Sequence, residues 1–248
     1  MSDRKATSPH APAVMQLHDR DETLYFKALS DQLAELLPVV AGPAVGEAIR
    51  RYSNQHRGAR PIYLSIDRPG DIEKSFSALR LGAGDVDVIV CGDGEQPPGI
   101  GDRGVGGVQV AAGKLAAYTA CAGIHPDRVI SVSLDVGTDN EALLNDPLYL
   151  GSRHPRRRGR DYDAFIRRYV ETVSRLFPSA LLHFDGLGQE NARRILPAHA
   201  PGYRLFVDDL QGTAVVVLAA VYSASRVTGI PMKEQAAVVC GADPTGVA

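Results

Sequence analysis

Five short apolar runs, separated by stretches of helical periodicity, constrain the fold of this chain more than any other feature. They are PIYLSID at 61–67, VDVIVCGD at 86–93, RVISVSLDVG at 128–137, SALLHFDGL at 179–187 and YRLFVDDL at 203–210. The runs are mostly continuous rather than alternating, as in strands covered on both faces, and this favours parallel pairing. Between them lie DIEKSFSALR, GKLAAYTACAGI, DYDAFIRRYVETVSRLF and QENARRILPAHA, whose lengths suit right-handed crossovers. The expected fold class is therefore α/β, a three-layer domain around a mainly parallel sheet. Ahead of it, ETLYFKALSDQLAELL reads as a helix from Glu22 to Leu37 that Pro38 stops. After it, TAVVVLAAVYSASRV is about fifteen residues long and holds Ser and Tyr, short for a membrane span, so it is expected as a buried helix with no membrane partner.

Charge and cysteine usage narrow the class. A formal net charge of −2 over 248 residues gives no reason to expect nucleic acid. Cys91, Cys121 and Cys240 are an odd count without C-x-x-C spacing, which suits a reducing cytoplasm and buried small side chains. Residues 1–15, rich in Ser, Pro and charge, read as a disordered leader rather than a signal peptide. The arginine cluster RHPRRRGR at 153–160 reads as a solvated loop.

Several strands end in aspartate, at Asp67, Asp93, Asp135, Asp185 and Asp208. In open parallel sheets ligands bind outside the carboxyl ends of the strands. Carboxylates gathered there are raw material for a Mg²⁺ or Mn²⁺ site, because hard cations select oxygen.

The segment GDRGVGGVQVAAGKLAAYTACAGIHPDRVISVSLDVGTDNEALLNDPLYLGSRHPRRRG, with the flanking LHDRDETLYFKALSDQL and FVDDLQGTAVVVLAA, resembles the N-terminal, substrate-side domain of malic enzymes. The resemblance runs from about residue 16 to 230 and leaves 231–248 as a remnant of the first strand and turn of an NAD(P)-binding domain. It implies oxidation of malate with NAD(P), decarboxylation of the bound keto acid and protonation of the enol. It also implies a homodimer and a small carboxylate substrate.

Residue by residue, the resemblance assigns proton transfer to Lys114 in AAGKLAAYTAC and makes Asp208 its neighbour. A lysine near the start of a helix is expected to have a lowered pKa, fit for a general base. Where the family reads V-Y-T-P-T-V-G this chain has VAGPAVG, with Ala41 in place of the phenol. Where the family reads G-E-R-I-L-G-L-G-D it has GEQPPGIGD, with Gln96 in place of the arginine. Gln96, Ala41 and Asn140 are the substrate-side positions. The family's Q-F-E-D-F-G becomes HFDGLG, so Asp185 is a shortened ligand, Gly186 a lost one and Asp209 the third, a set fit for weak Mg²⁺ or Mn²⁺ binding.

In GADPTG, Asp243 stands where the dinucleotide fingerprint has its middle glycine, and the sequence continues only to Ala248. These two features predict a chain that lacks the Rossmann domain and uses no NAD(P). The function expected on that basis is a non-redox acid–base enzyme, of decarboxylase, lyase, isomerase or cyclase type, acting on a carboxylate or β-keto acid. Two alternatives stand beside it: a catalytically inactive paralogue serving as a dimeric scaffold or regulator, and an oxidoreductase that uses a dinucleotide domain from another chain.

Overall fold

The computed structural model describes residues 17, 18, 20–40, 61–96, 101–236 and 238. The leader, Ala41, Cys240 and the GADPTG turn lie outside them. Two helices, α1 (Glu22–Asp31) and α2 (Leu33–Val40), precede the sheet. The sheet comprises β1 (Ile62–Ser65), β2 (Val88–Gly92), β3 (Val129–Asp135), β4 (Leu181–Phe184) and β5 (Leu205–Val207). Its helices are α3 (Ile72–Ser77), α4 (Val108–Ala122), α5 (Glu141–Leu144), α6 (Gly159–Leu176) and α7 (Gln189–His199), and α8 (Thr213–Thr228) follows β5. All four strand pairings are parallel, in the order β1-β3-β2-β4-β5, as the continuous apolar runs require.

That order fixes the layers. Helix α6 contacts both α3 and α7 on one face of the sheet. On the other face α4 packs on β2 and β3, and α1 and α2 pack on α4. The thicker layer is driven by α6, where Tyr162, Phe165, Ile166, Tyr169, Val170 and Val173 recur at helical spacing and are all buried. Each such side chain contributes roughly 1.5–3 kcal/mol by leaving water. The thinner layer closes with Tyr25, Leu29, Leu36 and Val40 against Ala116. Helix α4 ends at Gly123, whose φ of 69° lets its amide and that of Ile124 reach back to Thr119 and Tyr118 carbonyls.

The connection after β2 runs through α4 to β3, whereas the one after β4 runs through α7 to β5, in the opposite direction along the sheet. Neighbouring strands that part in this way open a crevice at their carboxyl ends, which is where a doubly wound sheet binds its ligand.

Two helical expectations need correction. Pro38 does not stop a continuous helix; the break comes at Gln32, and α2 continues through Pro38 to Val40. Breaking at Gln32 starts a new helix, so the proline lies in its second turn and forfeits one backbone hydrogen bond. Helix α8 forms as expected but is not buried: Val216 is 69%, Leu218 58% and Val227 88% exposed. By length and composition alone, Asp208–Thr228 is long and apolar enough to cross a membrane. Among the described residues nothing covers its apolar side. Of the cysteines, Cys91 is buried and Cys121 is exposed.

Candidate active site

Strand β4 alternates its side chains between the two faces. Leu182 and Phe184 enter the large core, while His183, in register with Val90, faces the α4 side. Asp185 follows on that same side, and Val207 in register with Phe184 brings Asp208 next to it. Gly92 lies beside this pair; a Cβ there would collide with the Asp185 carbonyl oxygen, so only glycine lets the strand ends approach so closely. Immediately after Asp185, Gly186 takes φ 71°, a left-handed turn that glycine forms without strain and that presents no ligand.

Helix α4 supplies the cation. Lys114 Nζ lies 3.1 Å from Asp185 Oδ2 and bonds Asp208 Oδ2 directly. One turn on, the Tyr118 hydroxyl pairs with His183 Nδ1 at 2.8 Å. Lys114 and Tyr118 are four apart and share a helix face, so the site has two rungs.

The sequence places Lys114 near a helix start with a lowered pKa; the structure shows otherwise. Helix α4 begins at Val108, so Lys114 sits about two turns inside it, beyond the reach of the terminal dipole. Burial works against its ammonium, but the charges of Asp185 and Asp208 outweigh burial, and the pKa is raised above that of free lysine. Lys114 is therefore a held ammonium. The reciprocal effects are visible around it. Burial, helped by the Lys114 charge, brings His183 down to about 4, so its imidazole is neutral at pH 7. Burial raises Asp185 and Tyr118.

Asp209, expected from the sequence as a metal ligand, is tied to the backbone of the neighbouring turn. Its two oxygens accept from the Gly186 and Leu187 amides at 3.3 and 3.1 Å. Burial, and then the nearby Asp185 charge, push it up to about 7. Among the described residues, the group whose ligand atoms converge is His183, Asp185 and Asp208, all within 4.8 Å of one another. His183 was not among the residues singled out from sequence, although its i, i+2 spacing from Asp185 on a strand puts both on one face.

The Asp209 shift carries a stability prediction. In the folded state its pKa is raised above the unfolded value, so the folded form keeps a proton that the unfolded form loses. Its contribution is thus fully present below about pH 4 and is lost as pH rises toward 7. Asp209→Asn is expected to raise the thermal midpoint of the metal-free protein at pH 7.5 by a few degrees, with no gain at pH 4. Thermal melts at the two pH values check this; equal shifts at both would show that the charge is not responsible.

The remaining candidates hold loops. Asn140 caps α5, its Oδ1 accepting from the Ala142 amide and its Nδ2 donating to the Asp102 carbonyl. Gln96 is exposed, with its backbone amide on the Gly186 carbonyl at 3.2 Å. Ala41 lies outside the described residues. Of the other strand-end aspartates, Asp67 pairs with His154, Asp135 accepts from the Ser152 amide and hydroxyl, and Asp93 accepts from Tyr162. The arginine cluster is only partly solvated. Arg156 is buried, grips Asp102 with two hydrogen bonds of 2.8 and 2.7 Å, and lies 3.6 Å from Asp93. This anchors the loops on either side of residues 97–100 at the carboxyl edge of the sheet.

Comparisons with known proteins bear on the family of the chain. Residues 18–200 match the family model for the malic enzyme N-terminal domain, and 210–248 match that for the malic enzyme NAD binding domain. A Mycobacterium tuberculosis protein provisionally named a malate oxidoreductase (NAD) is 60% identical over 94% of this chain and 42% of its own length. The NAD-dependent malic enzyme 3 of Bacillus subtilis is 48% identical over 93% of the chain and 41% of its length. The mitochondrial NAD-dependent malic enzyme of Saccharomyces cerevisiae is 40% identical, over 93% and 34%. The chain thus spans less than half the length of these relatives.

These matches overturn three expectations from the sequence: a non-redox lyase-type function, the lack of an NAD-binding domain, and independence from NAD(P). Those expectations rested on the last residue and on Asp243, but a strand and turn at the end of a sequence are equally the opening of a domain. The match from residue 210 onward identifies them as that opening. The parallel α/β architecture and the matched domains have one conclusion: the chain belongs to the malic enzyme family.

Proposed function

We propose that this chain is the substrate-side part of an NAD-dependent malate oxidoreductase, in which Lys114 moves the substrate protons. The observation that carries the reading is the Lys114 ammonium held by Asp185 and Asp208, directly ahead of the segment matched by the NAD-binding model. Asp208 fixes Nζ at the crevice, and the Tyr118–His183 pair closes the floor behind it. Asp185, Asp208 and His183 fit a divalent cation, because their ligand atoms cluster and His183 Nε2 is buried without a hydrogen-bond partner. Such a cation, when bound, supplies Lewis-acid polarisation of a substrate oxygen. Lys114 would first pass the proton of its resting ammonium to Asp208 or solvent, then take the substrate hydroxyl proton, and the ammonium so formed would return that proton to the enol carbon.

The exposed apolar side of α8 supports the same reading, since it begins the NAD-binding segment and is the surface that the rest of such a domain would cover. A cytoplasmic location accords with the free thiols of Cys91 and Cys121. Pairing of two copies belongs to the proposal through the family.

The test is malate-dependent reduction of NAD⁺, followed at 340 nm with pyruvate measured in parallel. It is run on the protein with a complete dinucleotide-binding domain supplied on the same chain or in trans. NADH and pyruvate in equal amounts are expected; their absence with domain and divalent ion both present would sink the reading.

A further inference from the structure

We infer that His183 is a nitrogen ligand of the cation site it forms with Asp185 and Asp208, and that this site takes a first-row transition ion in preference to Mg²⁺. The inference deepens the functional reading above and rests on it only for placing the ion beside the substrate.

Three observations converge. Ligand atoms of the three residues lie within 4.8 Å of one another, close enough for small side-chain adjustments to bring them onto one ion. His183 is fully buried, and its Nε2 has no hydrogen-bond partner, while Asp185 Oδ2 faces only the Lys114 ammonium, at 3.1 Å. Nature rarely leaves a buried polar atom idle, and an unpartnered ring nitrogen on a residue clustered with two carboxylates points to a group that completes it.

The tautomer also fits. The other ring nitrogen, Nδ1, pairs with the Tyr118 hydroxyl at 2.8 Å. A neutral imidazole has one N–H, and a buried N–H without an acceptor costs more than a buried lone pair without a donor. The favoured arrangement has Nδ1–H donating to the Tyr118 oxygen, which leaves the Nε2 lone pair free to bind. A metal-binding histidine is typically oriented in this way through its second nitrogen.

The donor set decides the kind of ion. Gly186 contributes no carboxylate, so the site offers two aspartates and one imidazole. Oxygen-only sets serve Mg²⁺ well, whereas imidazole nitrogen favours Co²⁺ and Zn²⁺ along the first-row series. Lys114 contacts both carboxylates and competes with any ion for them. That competition penalises a weakly held hard cation most.

The purified full chain is titrated with Co²⁺, following the visible d–d bands, and with Mg²⁺ by competition. Co²⁺ is expected to bind at least about tenfold more tightly than Mg²⁺. His183→Gln should weaken Co²⁺ well over tenfold and shift Mg²⁺ by less than about threefold, while Asp185→Asn should abolish both. Tyr118→Phe, which loses only the orienting partner, should weaken Co²⁺ by about tenfold. Equal Co²⁺ affinity in wild type and His183→Gln overturns the inference, as does wild-type Mg²⁺ binding as tight as Co²⁺. If circular dichroism shows His183→Gln unfolded, X-ray absorption of wild type with one equivalent of Co²⁺ decides. An imidazole scattering pattern supports the assignment and an oxygen-only shell overturns it. Because ion binding is read without turnover, failure of malate oxidation would overturn the functional reading and leave this inference standing.

Discussion

Replacing Lys114 by alanine is expected to lower malate-dependent NAD⁺ reduction by about three orders of magnitude, within the range that a positioned proton-transfer group supplies. That is about 4 kcal/mol of barrier. The loss should fall on kcat, because Lys114 contacts Asp185 and Asp208 and its part in the reaction is to move protons. Cation affinity should move the other way. With the ammonium removed, the two carboxylates no longer share their charge, and Co²⁺ should bind several-fold more tightly. Steady-state kinetics and a metal titration on the same preparation read both effects. A variant that has lost turnover and cation binding together would point to collapse of the site instead. Lys114→Arg keeps the charge but yields its proton far less readily than lysine, so it should retain the fold and remain inactive.

The second large effect concerns Arg156. Its guanidinium sits in the interior against Asp102 and Asp93, and Asp93 also accepts from the Tyr162 hydroxyl at 2.8 Å. Burial would raise the Asp102 pKa, yet the hydrogen bonds and charge of Arg156 outweigh it and hold that carboxyl low. Removing one member of a buried ion pair strands the other charge, which costs about 3–5 kcal/mol. Arg156→Met should therefore lower the thermal midpoint by roughly 6–20 °C for a domain of this size. Lysine should not rescue it, since the grip on Asp102 is bidentate. Adding Asp102→Asn to Arg156→Met should recover part of the loss by removing the stranded charge. No recovery, in melts of the single and double variants, would show that packing rather than charge dominates.

How much of this was legible in the sequence follows from the range of each signal. The strands were legible because continuous apolar runs bounded by aspartate and glycine are local features, and each run falls on its strand. Lys114, Asp208 and Asp185 were legible too, and the structure brings all three together. Arg156 was not, because an arginine among arginines looks solvated until the fold sets Asp93 and Asp102 beside it, over fifty residues away in sequence. His183 was hidden for a similar reason: its meaning depends on which face of β4 the helix α4 covers. The raised Lys114 pKa depends on carboxylates from two other elements, and no helix-based argument contains them. Helix α8 shows the converse, since an apolar run reveals that a surface will be covered but not whether the described residues include its cover.

The turn at Asp208–Gly212 is a single π-helical turn set between the edge strand β5 and the apolar helix α8. Lys114 and Asp185 are carried by α4 and the end of β4, whereas Asp208 is the first residue of the turn leading into the segment that matches the NAD binding domain model. Any swing of that segment about the turn would tug on one end of the Lys114 contact and leave the other fixed. A shift of Asp208 alone would therefore weaken one of the two carboxylate contacts that hold the Nζ proton and leave the Asp185 contact in place.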